Sequence, residues 1–101
     1  MGIALFLDDR RDPPAGGDWT LARTSSAAIK ILATREVTYL SLDYDLEGED
    51  CGALVVEWLA DTIAADPSFP LPIWRIHSHN FKGAAELRSM LNAIERRISG
   101  R

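Results

Sequence analysis

The amino-acid sequence predicts an α/β fold, with a mostly parallel four-stranded sheet and about three helices. Short apolar runs alternate with segments of helical periodicity in the order β, loop, β, α, β, α, β, α. This alternation is typical of βαβ units, in which the strands are parallel and the crossovers right-handed. The length of 101 residues, with 47% apolar and 26% charged residues, fits one globular domain over residues 1–101.

Each element in the first half has a recognisable local signature. Ile3–Leu7 is a nearly continuous apolar run, as expected for a strand buried on both faces. Residues 10–18 contain prolines and glycines, which exclude a regular helix and predict a loop. Residues 19–23 are predicted to form a short strand, and Thr24 or Ser25 can cap the helix that follows.

The second half repeats this pattern. Val37–Leu42 is again apolar and rich in β-formers, and it ends at Asp43. The amphipathic helix that follows is closed by Pro67, and its stripe consists of Leu54, Val55, Trp58, Leu59, Thr62 and Ile63. Residues 71–76 predict a fourth strand, in which Pro72 limits the start to a sheet margin. The last helix has one apolar face, formed by Leu87, Met90, Leu91, Ile94 and Ile98.

Acidic side chains follow two of the predicted strands. Asp8 and Asp9 come directly after the first strand, and Asp43 comes after the third. We expect them to lie close together, because the carboxyl ends of parallel strands meet at one edge of the sheet, where ligands bind. Carboxylates at close range repel unless a cation lies between them, and oxygen ligands favour Mg²⁺, with Mn²⁺ or Ca²⁺ as alternatives. The sequence therefore predicts a divalent-ion site at these three acids, unless they only face solvent or cap helices.

Charge is distributed unevenly along the chain. The formal net charge is −4, and residues 36–74 contain nine acids but no lysine or arginine. Five of these acids fall within eight residues, which fits either a solvated loop or a cation site: Asp43, Asp45, Glu47, Glu49 and Asp50. An acidic protein lacks the broad basic face that long duplex nucleic acid requires. A small or terminal phosphate ligand remains compatible with this charge.

Targeting and redox signals are few. No apolar segment has the roughly twenty residues of a membrane span, and the apolar start of the chain lacks a basic leader. We therefore expect a cytoplasmic protein with no membrane partner. Cys51 is the single cysteine, which excludes an internal disulfide and a multi-cysteine zinc site.

The segment His77-Ser78-His79-Asn80 joins the fourth strand to the last helix. Asn80 is placed to cap that helix, and the free N–H groups of a helix start attract phosphate. Either histidine can act as a general acid or base, and Ser78 can donate to a phosphoryl oxygen. The alternatives are a hydrogen-bonded structural His77, a surface His79, or a transition-metal site formed by both histidines.

Basic and aromatic residues lie close to these acids in the sequence. Arg10 and Arg11 directly follow the acid pair, where one of them can either bind a phosphate in bidentate fashion or neutralise the carboxylates. Trp58, Trp74 and Trp19 are expected in the core or at its margin. For Trp19, which follows the predicted loop, base stacking is the alternative.

These motifs together resemble the cyclic-phosphate processing receiver-like domains, a divergent branch of the response-regulator receiver superfamily. The resemblance spans the chain from Leu7 to about Met90, and its pieces are Leu7-Asp8-Asp9-Arg10-Arg11-Asp12-Pro13-Pro14, Ser41-Leu42-Asp43-Tyr44-Asp45-Leu46, Gly52 and His77-Ser78-His79-Asn80. It implies a flavodoxin-like, three-layer sandwich with the strand order of receivers. The fold is expected to be truncated relative to ordinary receivers, which carry a lysine at the end of a fifth strand.

The resemblance also implies a metal site and catalytic residues. Asp8 and Asp9 match the family's metal-binding acids, and Asp43 matches the phosphoacceptor position, where it would act as a metal ligand or as a nucleophile. Asp45 matches a second family acid, and His77 matches the first residue of the family's His-Ser-x-Asn signature. Catalysis is therefore expected to involve Asp43, Asp45 and His77.

Phosphate binding is implied for Arg11, Ser78 and Asn80, which match the family's basic and signature positions. Tyr44 stands where the family commonly has a histidine, and a phenol with a pKa near 10 is better suited to donating a hydrogen bond. The leading hypothesis is Mg²⁺-dependent hydrolysis of a cyclic phosphate, such as a 2′,3′-cyclic phosphate on a nucleotide or an RNA end. The alternatives are a receiver-like phosphoacceptor and a non-catalytic module that binds a nucleotide or a protein.

Overall fold

Four strands and three helices alternate along the chain in the predicted order. The computed structural model describes residues 2–100, and its elements are β1 Ile3–Leu7, β2 Trp19–Ala22, α1 Ser25–Leu32, β3 Val37–Leu42, α2 Ala53–Ala65, β4 Ile73–Ile76 and α3 Phe81–Ser99. The strands form one all-parallel sheet in the order β2-β1-β3-β4. The predicted fold class, a small receiver-like α/β fold, is confirmed. Within residues 2–100, no helix is both long enough and apolar enough to cross a bilayer.

Side-chain caps begin two of the helices where the sequence predicts them. The hydroxyl of Thr24 accepts a hydrogen bond from the N–H of Ala27 at 3.1 Å, which satisfies a free donor in the first turn of α1. The side-chain oxygen of Asn80 accepts from the N–H of Gly83 at 2.9 Å and caps α3 in the same way. Both predicted caps are therefore confirmed.

The two edge strands are shorter than predicted. β4 begins at Ile73 instead of residue 71, because Pro72 has no N–H to donate to a parallel ladder. β2 ends at Ala22, one residue before the predicted end. The position of β4 at the sheet edge agrees with the margin that the proline predicts.

All three helices lie on one face of the sheet. The connections from β2 to β3 and from β3 to β4 run in the same direction across the sheet, so right-handed crossovers place α1 and α2 on the same face. α3 also packs against α2. The connection from β1 to β2 runs the opposite way and contains no helix. In residues 2–100, the third layer expected from the sequence is therefore reduced to the β1–β2 loop.

The hydrophobic core lies between the sheet and the helical layer. Leucines of β1 and β3 meet fully buried leucines of the helices there: Leu5, Leu7, Leu40, Leu42, Leu32, Leu59, Leu87 and Leu91. Strand side chains alternate between the two faces of a sheet, so the intervening residues point away from the helices. We call this opposite side the open face, and by register it carries Phe6, Trp19, Tyr39, Ser41 and Arg75.

Leu59 and Leu54 provide a matched test of this packing within one helix. Leu59 is fully buried under the sheet, whereas the side chain of Leu54 is 43% exposed. Leu59→Ala is expected to lower the free energy of unfolding by about 2–5 kcal/mol, because it leaves a cavity in the core. Leu54→Ala is expected to change it by less than about 1 kcal/mol. Urea unfolding measures both values, and equal losses would contradict the assignment of the buried face of α2.

Candidate functional site

Three chemically active side chains meet where β1, β3 and β4 end. Asp8, Asp43 and His77 each follow one of these strands, and each offers a ligating atom within 4.8 Å of the others. The backbone ladder continues into the site, because the N–H of Asp43 donates to the carbonyl of Leu7 at 3.1 Å and that of His77 donates to the carbonyl of Leu42 at 2.9 Å. The strands thus hold the three side chains close together.

Asp8 is fully buried, and four donors surround its carboxylate. Oδ1 accepts from the backbone N–H groups of Arg10 at 3.0 Å and Arg11 at 2.8 Å. Oδ2 lies 2.9 Å from Nε of Arg11 and 3.2 Å from Nε2 of His77. Burial alone raises the pKa of Asp8, but the backbone donors, the Arg11 charge and the His77 contact outweigh it and hold this pKa below its usual value. Asp8 is therefore a buried carboxylate that stays ionised at neutral pH.

Arg11 joins the two buried carboxylates. Its Nε lies 2.9 Å from Asp8 Oδ2, and its terminal nitrogen lies 3.3 Å from Asp43 Oδ2 and 3.4 Å from the carbonyl oxygen of His77. The side chain is 43% exposed, so the guanidinium reaches from the buried acids to the surface. Of the two roles that the sequence left open, the structure shows neutralisation of the carboxylates. Phosphate binding by Arg11 stays a prediction.

The β1–β2 loop is itself anchored beside the site by Arg23. One terminal nitrogen of Arg23 donates to the carbonyl oxygens of Asp8 at 3.3 Å and Arg11 at 2.8 Å. The other lies 2.8 Å from Oδ1 of Asp12. A loop with several prolines and glycines thus holds Arg11 in a defined place. The sequence predicted the loop but gave no sign of this anchor.

His77 is oriented by a second hydrogen bond on its other ring nitrogen. Nδ1 lies 2.7 Å from the hydroxyl of Ser41, which is fully buried and also accepts from Nε of Arg75 at 3.2 Å. Because the ionised carboxylate of Asp8 can only accept, the ring proton lies on Nε2 beside it, and Nδ1 of the neutral ring then accepts from the Ser41 hydroxyl, whose oxygen still accepts from Arg75. Burial lowers the pKa of His77, against the opposing effects of Asp8 and Asp43, so the neutral ring is favoured at neutral pH.

Sequence reasoning did not identify Ser41 or Arg75 as part of the site. Ser41 lies within the apolar run of β3 and Arg75 within that of β4. A polar residue inside a strand predicted to be buried was the available signal for each. Such a side chain must find a hydrogen-bond partner when the strand is covered.

A small pocket of about 190 Å³ opens beside the buried carboxylates of Asp8 and Asp43. Its lining includes Arg11, Asp43, Asp45, Ser78 and Asn80. The hydroxyl oxygen of Ser78 accepts from the N–H of Asn80 at 3.1 Å, which leaves its hydrogen available for a ligand. The amide of Asn80 donates to both carboxylate oxygens of Asp45, at 3.2 and 3.3 Å, while its oxygen caps α3. The pocket therefore brings together the residues predicted for phosphate binding.

Asp9 lies apart from this arrangement. Its Oδ1 is 3.9 Å from Nε of Arg10, which points to solvent. Among residues 2–100, the group of ligating atoms close enough to share one ion consists of Asp8, Asp43 and His77 and does not include Asp9. A metal-binding role for Asp9 stays a prediction.

The acidic segment after β3 divides into separate roles. Asp50 accepts from the N–H and the hydroxyl of Ser25, at 2.8 and 2.5 Å, and from the N–H of Cys51 at 3.0 Å. It therefore ties the segment to the start of α1. Glu47 and Glu49 are exposed. The segment is thus neither one solvated loop nor one cation site.

Tyr44 packs against α3, away from the buried carboxylates of Asp8 and Asp43. Its ring lies so close to Gly83 that a Cβ on that glycine would clash with the ring atoms. Its hydroxyl donates to Glu86 at 3.0 Å, and this hydrogen bond raises the pKa of Tyr44 above its usual value. A residue at the position where the family commonly has a histidine thus contributes packing instead of a base.

Comparison with known proteins agrees with the resemblance read from the motifs. The family model of the cyclic-phosphate processing receiver domain matches residues 3–93, which include all of the site residues described above. No curated protein and no solved structure is significantly similar to the chain.

Removal of Arg11 tests whether it compensates the two buried acids. Arg11→Met is expected to lower the free energy of unfolding at pH 7 by about 1–3 kcal/mol, because two adjacent carboxylates lose their cation. The pKa of Asp8, which Arg11 helps to lower, would then rise in the folded state, so the loss should shrink as the pH is lowered and this carboxyl is protonated. Urea unfolding at several pH values measures this. In the Asp43→Asn background the same substitution should cost less, and an equal cost would show that the ion pairs are not coupled.

Proposed function

Because the chain belongs to the family of cyclic-phosphate processing receiver domains, we propose that it hydrolyses a cyclic phosphate carried by a nucleotide or by an RNA end. The observation that carries the proposal is the buried contact between Asp8 and His77 at 3.2 Å, with Arg11 alongside. A buried carboxylate that orients an imidazole beside a cation is suited to moving a proton next to a phosphoryl group.

Arg11 and Ser78 supply the groups that would bind the phosphate. Arg11 is held in place by Asp8 and Asp43 and remains partly exposed, so little side-chain freedom is lost when it donates to phosphoryl oxygens. Ser78 retains a free hydroxyl hydrogen at the same pocket. Asn80 and Asp45 fix the loop that carries Ser78, through the hydrogen bonds between their side chains.

His77 supplies the proton transfer. In ring opening, a water oxygen forms a bond to phosphorus while the bond from phosphorus to one ribose oxygen breaks. In the tautomer that carries its proton on Nε2, only Nδ1 has a lone pair, so neutral His77 would take a proton from that water at Nδ1, in place of the hydrogen bond from Ser41. It would return this proton to the departing oxygen, so that the product is a phosphate monoester with a free hydroxyl. Asp8 would stabilise the transient imidazolium, as a carboxylate beside a catalytic histidine does.

Charge balance supports a divalent ion in this reaction. Asp8 and Asp43 carry two negative charges against the one positive charge of Arg11, and the phosphate adds another negative charge. The two carboxylates offer the oxygen ligands that an ion such as Mg²⁺ or Mn²⁺ takes. Asp8 and Asp43 would hold it, in competition with Arg11, and Asp9 is the further predicted ligand. When bound, the ion would neutralise charge on the phosphoryl oxygens.

The direct test is turnover of cyclic nucleotides, followed by phosphorus NMR. Adenosine 2′,3′-cyclic phosphate and adenosine 3′,5′-cyclic phosphate are incubated with the protein, with and without Mg²⁺. We expect ion-dependent ring opening of the 2′,3′-cyclic compound. His77→Gln and Asp43→Asn should each slow it at least about 100-fold, because they remove the proton carrier and a carboxylate of the site. Glu47→Ala, at an exposed acid of the same segment, is the matched control and should turn over like the wild type.

Two outcomes would contradict the proposal. Ring opening that survives both Asp43→Ala and His77→Ala would place the chemistry elsewhere. A stable phosphoryl group on Asp43 after treatment with a small acyl phosphate, together with no turnover of either cyclic nucleotide, would instead favour a phosphoacceptor.

A further inference from the structure

The open face of the sheet is left uncovered by the helices. In residues 2–100 the three helices all pack on the opposite face, and the β1–β2 loop is the connection that crosses to this side. Trp58 and Trp74 pack on the hydrophobic core, whereas Trp19 does not. The tryptophan next to the loop therefore differs in its surroundings from the other two.

A row of aromatic rings crosses this face. Phe6 and Trp19 meet edge to face with centroids 5.7 Å apart, and Trp19 and Tyr39 meet in the same way at 5.7 Å. Ala4 lies between Trp19 and Tyr39 in register, and its small side chain allows the two large rings to touch across β1. Trp19 and Tyr39 are both partly exposed, so ring surface remains available to a ligand.

Arg75 adds a cation to this aromatic surface. Its guanidinium carbon lies 5.8 Å from the centre of the Trp19 ring, while Nε donates to Ser41. Arg75 is exposed and forms no ion pair within the described part of the chain. Aromatic rings with an adjacent arginine are the composition that stacks nucleobases.

The aromatic row extends to the border of the phosphate pocket through His77, whose carbonyl oxygen accepts from the pocket residue Arg11 at 3.4 Å. The His77 ring stacks on Phe6 with centroids 4.2 Å apart and planes 8° from parallel, while its Nε2 contacts Asp8. We propose that the open face binds the nucleobase of the phosphate-bearing ligand, by stacking on the Tyr39 ring with an edge-to-face contact to Trp19, beside Arg75. This inference rests on the proposed function, and it adds the surface that would hold the base of the nucleotide or RNA end.

A nucleobase fits this surface better than a second copy of the chain does. Aromatic rings with an arginine also occur at the centre of protein interfaces, but here the rings adjoin the Phe6–His77 stack and so lie next to the residues predicted to bind phosphate. The exposed aliphatic residues of this face, Leu21 and Ile73, lie on the two edge strands with β1 and β3 between them. The centre of the face is aromatic and cationic. Stacking of this kind tolerates any base, because every base offers a π-face, so the face would select for a base without reading its identity.

The test compares a ligand that has a base with one that has none. Adenosine 3′-monophosphate and inorganic phosphate, neither of which is consumed, are titrated into the protein and followed by calorimetry. The wild type is expected to bind the nucleotide about five- to 150-fold more tightly. Tyr39→Ala and Trp19→Leu should each remove most of that preference, while Tyr39→Phe keeps the ring and should restore it. Ile73→Ala, on the same face, is the control and should keep the preference.

The outcomes separate this inference from the proposed function. A wild type that binds both probes equally, or variants that keep the preference, would overturn the base site and leave phosphate binding intact. Failure of the wild type to bind either probe would count against the proposed function itself. A wild-type dimer that Trp19→Leu dissociates without changing the preference would assign the face to a second copy and overturn the inference.

Discussion

The site depends on one constraint, that a fully buried carboxylate must have all of its hydrogen-bonding capacity satisfied. Asp8 meets it with two backbone donors, Arg11 and His77. Each donor is thereby fixed: the backbone contacts shape the start of the β1–β2 loop, the guanidinium is directed to Asp43, and the imidazole is held on the open face. The positions of Arg11 and His77 therefore follow from this carboxylate, whereas Ser78, Asn80 and Asp45 are held by their own hydrogen bonds.

Much of this arrangement could be predicted from the sequence, because the physical signals are local. An apolar run that ends in acids identifies a buried strand and its polar end, and this places Asp8 and Asp43 at one edge of a parallel sheet. A threonine or asparagine before an amphipathic stripe identifies a helix start, as Thr24 and Asn80 demonstrate. These signals depend on a few adjacent residues and on the periodicity of apolar residues along the chain.

The remainder depends on contacts between distant residues, and one sequence does not reveal which residues pair. Two roles were open for Arg11, and only the approach of β1 to β3 shows that it joins two acids. Ser41 and Arg75 act on His77 across strands. The layer arrangement follows from strand order and crossover handedness together, and the strand order came only from the resemblance. The topology therefore leaves the open face without helices. Trp19 lies on this face, whereas Trp58 and Trp74 pack on the hydrophobic core.

The central claim is that Asp8 and Ser41 together orient a neutral His77 with its proton on Nε2. Long-range proton–nitrogen NMR of the two histidine rings at neutral pH tests it directly, with exposed His79 as the internal reference. We expect a neutral His77 protonated at Nε2, with nitrogen shifts that change in Asp8→Asn. A His77 protonated at Nδ1, or shifts indifferent to Asp8→Asn, would contradict it.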